Sequence, residues 1–483
     1  MKKLFFLLSV VTVLILGLNS CKKEGSPEDK TVFTITFDCQ GGTPVPASQT
    51  VEKGAFVVEP AEQPTLDGQV FAGWYTQSGL KFNFISTPVT KDIVLVAHYW
   101  QGPKKYIVIN AYDWSYLEKA VYTHFGDSKG CDVAVGEGVL YYIFERPLET
   151  HKESLKKHLQ LAEEYGVPIL VQLDPITFWD GVPELWNWFE PSMSGYNDAN
   201  RENVEWTSWS SADAVKIGWL NWGRQIRLKP MANLFAPAYQ AAVKERMDAL
   251  ISIVTNWYES LPATKKHLLI GVKITGELGV GVNNWYYTGG NDLYGESEQN
   301  DPRSGINMNN KPSRSNGAVS AIGYAGCKYA GIKSSGVLTG DDIAELEHRF
   351  TLFVSEIAMK HGLPREKVFA HAGGVGNDLD ACINDLVCPS WSFYNADATD
   401  GKNATYCLNL LKNSDAPHWG VAEWAISATA SADTWANSIR SSLNIDRCYF
   451  LSIYTNVIGN NNGTTVNTNA VQGIMQIQQH DKY

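Results

Sequence analysis

From about residue 104 onward, short apolar runs alternate with longer stretches in which apolar residues recur every three or four positions. The runs are 105–114, 136–145, 167–174, 268–277, 367–373, 388–395, 419–425 and 448–456, among them "VPILVQLD" and "LLIGVKITGE". Runs this short and this rich in Val, Ile and Leu predict strands buried on both faces. Segments 152–166, 236–259, 340–362 and 432–444 keep the helical period and predict amphipathic helices. Strands alternating with helices imply a parallel sheet, and eight strands are what a (β/α)8 barrel needs. The predicted fold class is α/β, a (β/α)8 TIM barrel spanning 104–483. An open doubly wound sheet is the competing architecture, weakened because no GxGxxG loop opens the first βα unit. Such barrels usually take about 250 residues. The surplus here falls after "VQLD" and after "ITGE", as two long βα-loop insertions rich in Trp, Asn, Gly and Ser. Both follow strand C-termini, where barrels build their sites.

Upstream the period changes to two. Residues 31–99 read as short alternating strands, "TVFTITFD" and "DIVLVAHYW" among them, punctuated by "GG". In order and spacing, "FTITFDCQGG", "VEKGAFVVEPAEQP", "FAGWYT" and "STPVTKDIVLVAHY" resemble the Listeria–Bacteroides repeat, a small β-grasp-like module of bacterial surface proteins. The resemblance implies a β-rich spacer or adhesion domain before the barrel, with Trp74 in its core. The first twenty residues read as a targeting segment: Lys2 and Lys3, the apolar "LFFLLSVVTVLILGL", then "LNSC". That ending resembles a bacterial lipobox, which implies removal of 1–20, lipidation of Cys21 and a polar tether over 21–30. An uncleaved membrane anchor is the alternative. The expected location is outside the cytoplasm, held to a bacterial membrane through Cys21, with the outer membrane or cell surface favoured.

Composition narrows the partners. Hydrophobic content of 44% and charged content of 19% describe an ordinary globular chain. A formal charge of −11 lacks the basic footprint that nucleic acid requires, so no nucleic-acid partner is expected. Sixteen Trp and 22 Tyr exceed what a core of this size needs, and many fall in the insertions. Beyond Cys21, the seven cysteines form no CxxC pair, so no zinc site is expected. No metal or organic cofactor is predicted. Cys382, Cys388 and Cys407 lie close enough in sequence for an exported protein to oxidise some of them, although small buried core residues are the commoner reading.

If the strands are assigned correctly, the residues that close them share one bowl: Asp113, Trp114, Glu145, Asp174, Glu277, His371, Trp391, Tyr394, Glu423, Trp424, Tyr454 and Asn456. The bowl is acidic and aromatic, with no nucleophile elbow and no phosphate cradle. Paired carboxylates flanked by aromatic platforms suit glycoside hydrolysis, in which one carboxyl protonates the leaving oxygen while the other attacks the anomeric carbon or activates water. Glu277 and Glu423, closing strands four and seven, are the catalytic candidates. Their placement resembles the clan A glycoside hydrolases, (β/α)8 barrels with the acid/base glutamate after strand four and the nucleophile after strand seven. The resemblance implies Glu277 as acid/base, Glu423 as nucleophile and retention of configuration. The "GEL" at 276–278 is also similar to the acid-bearing strand of β-amylases, which implies inversion. The clan usually carries Asn before its acid, to hold the sugar 2-hydroxyl; here Gly276 stands there, and Asn283 or Asn284 is the substitute considered. Asp174, Asn283, Trp285, His371, Trp391, Tyr394 and Trp424 are the expected substrate contacts, and a glycan the expected partner. A surface glycan-binding protein on a barrel scaffold, or a hydrolase using Asp174 or Glu145 in place of one glutamate, are the alternatives. Oligomeric state is left open.

Overall fold

A computed structural model describes residues 31–80, 82–216, 218–221, 225–280, 322–373, 379–394, 402–454, 457–459 and 465–483. The chain divides into two compact units, Met1–Thr65 with Gly73–His98, and Leu66–Ala72 with Tyr99–Tyr483. The first carries a four-stranded sheet of Val32–Asp38, Gln49–Glu52, Val70–Thr76 and Ile93–Trp100, in the order two-one-four-three. Its first and fourth strands are parallel. Trp74 is buried and meets Phe37 edge to face at 4.9 Å.

The second unit is a closed barrel of eight parallel strands in sequence order: Lys105–Tyr112, Val133–Tyr142, Ile169–Asp174, Leu269–Lys273, Val368–Ala372, Cys388–Phe393, Trp419–Trp424 and Cys448–Ile453. Strand eight closes the ring by pairing with strand one. Helices Leu148–Tyr165, Pro237–Ser260, Gly340–Met359 and Ala432–Leu443 occupy the four segments that carry the helical period. Among the described residues, no helix is long and apolar enough to cross a membrane.

Strand alternation divides the barrel into two cores. Ile107, Ile109, Val133, Val135, Val171, Val272, Trp391, Val421, Trp424 and Leu451 face the helices in one continuous cluster. Tyr106, Val108, Leu170, Ile270, Phe369, Cys388 and Phe450 plug the barrel's N-terminal end from inside. Above the plug lies a polar layer. Gln172 Nε2 donates to Asn110 Oδ1 at 2.6 Å, and Asn110 Nδ2 donates to Ser452 Oγ at 2.6 Å. Strand two contributes no side chain at this level: a Cβ on Gly138 would come within 2.7 Å of Asn110 Oδ1. The next inward positions up each strand form the mouth.

The insertion after strand three is held by its own tryptophans. Trp179, Trp186, Trp188 and Trp206 are buried, and each indole N–H donates to a backbone carbonyl: those of Pro230, Trp179, Val215 and Arg201 respectively. They anchor the loop rather than line a sugar groove, and Trp222 lies outside the described residues. Glu205, fully buried, accepts from the backbone N–H groups of Gly323, Ala325 and Gly326, which ties this insertion to the short helix Tyr324–Tyr329. Burial pushes its carboxyl up to about 7, against those three donors. Cys382, Cys388 and Cys407 are buried thiols.

Candidate active site

Strand four delivers its chemistry by parity. Val272 and Ile274 face the helices, so Lys273, Thr275 and Glu277 face the barrel axis. In strand six, Trp391 and Phe393 face outward, which leaves Ser392 and Tyr394 inward. Strand seven slips register between Val421 and Trp424, so Trp424 joins the outer core while Glu423 turns to the mouth.

Three of these groups meet. The Tyr394 hydroxyl lies 2.6 Å from Glu277 Oε1 and is also hydrogen-bonded to Glu423 Oε2. A phenol has one proton to give. It donates to one carboxylate and accepts from the other as a carboxylic acid, so the trio holds one carboxyl proton. Glu423 Oε1 faces the Lys273 ammonium at 3.9 Å, with the lysine side chain 2% exposed. Burial and then the facing Glu277 push Glu423 up to about 8, while Lys273 and Tyr394 pull it down. The Tyr394 phenol itself is driven up by burial and the two carboxylates, so it stays a donor.

Beneath the pair, Lys273 Nζ lies 3.3 Å from His371 Nδ1, and His371 Nε2 lies 2.7 Å from Ser392 Oγ. An ammonium has donors only, so Nδ1 accepts, and His371 is the neutral tautomer carrying its proton on Nε2. Burial and Lys273 hold this imidazole well below its ordinary value. Lys273 is itself lowered by burial, against the pull of Glu423, Asp174 and Glu277. One ligand atom each from Glu277, His371 and Glu423 lies within 4.8 Å of the others, a spacing that could hold a cation. Lys273 already supplies one there, and both His371 nitrogens are engaged.

Asp174 closes strand three beside the pair. Its Oδ1 accepts from the N–H groups of Ile176 and Thr177 at 2.7 and 3.0 Å, and its Oδ2 accepts from Thr177 Oγ1 at 2.6 Å. A Cβ on residue 276 would lie 2.7 Å from Asp174 Cγ. Gly276 is thus required by this carboxylate, which fills the space where an Asn side chain would start. Tyr142 and Tyr454 complete the wall; among the charges that bear on each are Asp174 and Glu423. Tyr112, 38% exposed, stacks on Trp114, 47% exposed, with ring centroids 4.8 Å apart and planes 3° apart, and Arg146 lies over the Trp114 ring at 4.4 Å.

Several expectations are corrected. Trp391 and Trp424 are fully buried among the helices and cannot stack on substrate; the Trp391 indole donates to the Leu379 carbonyl at 2.8 Å. His371 is 1% exposed and supports Lys273 from below instead of touching a sugar. Asp113 points away from the bowl and pairs with His151 Nδ1 at 3.1 Å. Asn283, Trp285 and Asn456 lie outside the described residues. Lys273 was hidden in an apolar run, where strand parity relative to Glu277 is the signal that finds it.

Residues 33–98 match the Listeria–Bacteroides repeat domain family. No curated protein matches the sequence. Solved structures similar to the chain include a β-galactosidase from the psychrophilic Marinomonas ef1, at 10% identity over 78% of this chain and 59% of that one, with a TM-score of 0.43. This chain therefore spans less than two thirds of that protein. A GH5-4 broad specificity endoglucanase from Clostridium acetobutylicum is 8% identical over 74% of this chain and 89% of its own, TM-score 0.36. The catalytic domain of a GH26 endo-β-1,4-mannanase from Bacillus sp. JAMB-750 is 9% identical over 76% and 91%, TM-score 0.35. At these values no activity is carried over from them.

Proposed function

We propose that this chain is a glycoside hydrolase that cleaves the O-glycosidic bonds of an oligo- or polysaccharide with retention, exported and anchored through a lipidated Cys21. The observation that carries the reading is one tyrosine hydroxyl bonded to both Glu277 and Glu423 at the barrel mouth. Retaining enzymes place their carboxyl groups about 5–5.5 Å apart, inverting ones about 6.5–9.5 Å, to leave room for a water. Two carboxyls that reach one hydroxyl favour the shorter class.

The chemistry follows from the one proton the trio holds. Ionised Glu423 attacks the anomeric carbon while the Glu277 carboxyl protonates the departing oxygen, which leaves a glycosyl ester on Glu423 and a Glu277 carboxylate. Glu277 then takes a proton from water, the hydroxide displaces Glu423, and both groups return to their starting states. A protein that only binds glycans gains nothing from two carboxyls sharing a hydroxyl. Tyr112, exposed and backed by Trp114, offers a ring suited to the apolar face of a sugar. The anchor rests on the "LNSC" pattern alone.

The test is turnover of a panel of aryl glycosides by the full chain beside Glu277→Gln and Glu423→Gln. Hydrolysis by the parent and its loss in both variants supports the reading. Hydrolysis that survives in either variant overturns the assignment, and export of Cys21→Ala as a membrane-free protein tests the anchor.

A further inference from the structure

The barrel holds a buried cation that the reaction as written does not use. Lys273 is inward-facing on strand four, two inward positions below Glu277, yet its ammonium approaches the oxygen of Glu423, at 3.9 Å. It contacts the Glu423 oxygen opposite to the one bonded by Tyr394. The two carboxyls are therefore not equivalent: both share Tyr394, and among the described residues only Glu423 has an ion-pair contact with a buried lysine. His371 fixes the lysine from below through its Nδ1 lone pair, and Ser392 fixes the histidine.

We propose that Lys273 is the counter-ion that keeps Glu423 ionised as the nucleophile and so leaves the shared proton with Glu277. The inference rests on the glycosidase reading and deepens it, because it decides which glutamate does what. A charge of opposite sign within about 4–6 Å favours the ionised form of a carboxyl, and in a water-poor site the preference is strong. The charged and titratable groups that act on Glu423 include Glu277, Lys273, Tyr394 and Asp174, with the Tyr142 and Tyr454 phenols in the wall; those that act on Lys273 include Glu423, Asp174, Glu277 and His371. Of these, Lys273 and Tyr394 favour charge on Glu423, and Tyr394 serves both carboxyls. Two carboxyls this close titrate as a pair. Burial and Glu277 raise the proton affinity of Glu423 and Lys273 lowers it, so Lys273 biases where the shared proton resides. Lys273 is a positioning residue: it acts on substrate only through Glu423.

The experiment needs no substrate. Full-length protein with 13C-labelled glutamate carboxyls is titrated by NMR in the Glu277→Gln background, where Glu423 has lost its carboxyl neighbour, and again with Lys273→Met added; loss of the signal in Glu277→Gln/Glu423→Gln assigns it. The expected result is a Glu423 midpoint higher by about one to three pH units when Lys273 is absent. Coincident midpoints overturn the proposal. Lys273→Gln repeats the comparison with a polar side chain if the methionine variant does not fold. With any aryl glycoside that is hydrolysed, the acid limb of the kcat/KM profile in Lys273→Met moves up by the same interval, whereas a packing role lowers the rate at every pH alike. Failure of the glycosidase reading shows as silence on all glycosides with the NMR shift intact; failure of this inference shows as an unmoved midpoint in an enzyme that still turns over.

Discussion

Two clusters in this barrel contain nearly the same groups, one on its axis and one between its strands and its helices. In one, Glu277 and Glu423 face Tyr394, Lys273 and His371 on the axis. In the other, Glu118, Glu137 and His158 meet between strand two and the helices, one ligand atom of each within 4.8 Å of the others. Both bring two carboxylates together with a basic side chain. The second is sealed: all three residues are 0% exposed. His158 Nδ1 lies 2.7 Å from Glu118 Oε1, its Nε2 lies 3.1 Å from the Asp113 carbonyl, and Glu137 Oε1 accepts from Leu117 N–H just before the helix Glu118–Phe125. Burial and Glu118 push the Glu137 carboxyl well up. The axial cluster opens instead through Tyr394, 48% exposed. Access, and not the inventory of charged groups, separates the proposed reactive pair from the sealed one.

That contrast can be broken most forcefully at the axial pair. Glu277→Gln is expected to lower kcat by about 10²–10⁴-fold, the usual contribution of a positioned acid, and Glu423→Gln by at least as much, with unfolding midpoints little changed. At the sealed cluster the effect should fall on stability. Glu118→Ala removes one partner of a buried pair and is expected to cost about 3–5 kcal/mol in denaturant unfolding, with turnover per folded molecule preserved. Tyr394→Phe keeps both carboxyls and removes the shared hydroxyl. A hydrogen bond to a charged group contributes about 1.5–3 kcal/mol, so kcat should fall by about 10- to 100-fold.

The pH profile sharpens the same point. Activity should fall at high pH, once the pair has lost its last proton and no acid remains. The sign for stability runs the same way. Glu423's proton affinity is raised on folding from 4.5 to about 8, so its contribution is full below 4.5 and is lost as pH climbs to 8. Unfolding of the parent and Glu423→Gln across that window checks it. The smallest effect is expected at the rim. Trp114→Ala should leave stability within about 0.5 kcal/mol and raise KM by a few fold, readable in steady-state kinetics on an oligosaccharide.

The eight strands were readable because parallel strands buried on both faces are continuous apolar runs, and the four long helices because one stripe of each meets the barrel. The carboxyls that close strands four and seven were readable from position along the chain. What misled was facing. Trp391 is three residues from Tyr394, and Trp424 one from Glu423; at an odd separation two side chains lie on opposite faces, so only one member of each couple can reach the mouth. The same parity sends Asp113 outward while Tyr112 stays at the mouth. Lys273 went unseen for the converse reason: a charge inside an apolar run marks a buried function only after its face is known. Gly276 looked like a departure from a pattern, and only the Asp174 carboxylate pressed against it explains why no side chain is tolerated there.

The configuration of the first product tests the central claim most directly. With a glycoside that the full chain hydrolyses, 1H NMR at the earliest times reports which anomer appears before mutarotation mixes the two. Two carboxyls that share one hydroxyl predict the same anomer as the substrate. The opposite anomer would mean that a water stands between them during the reaction, and would contradict the assignment of Glu423 as nucleophile.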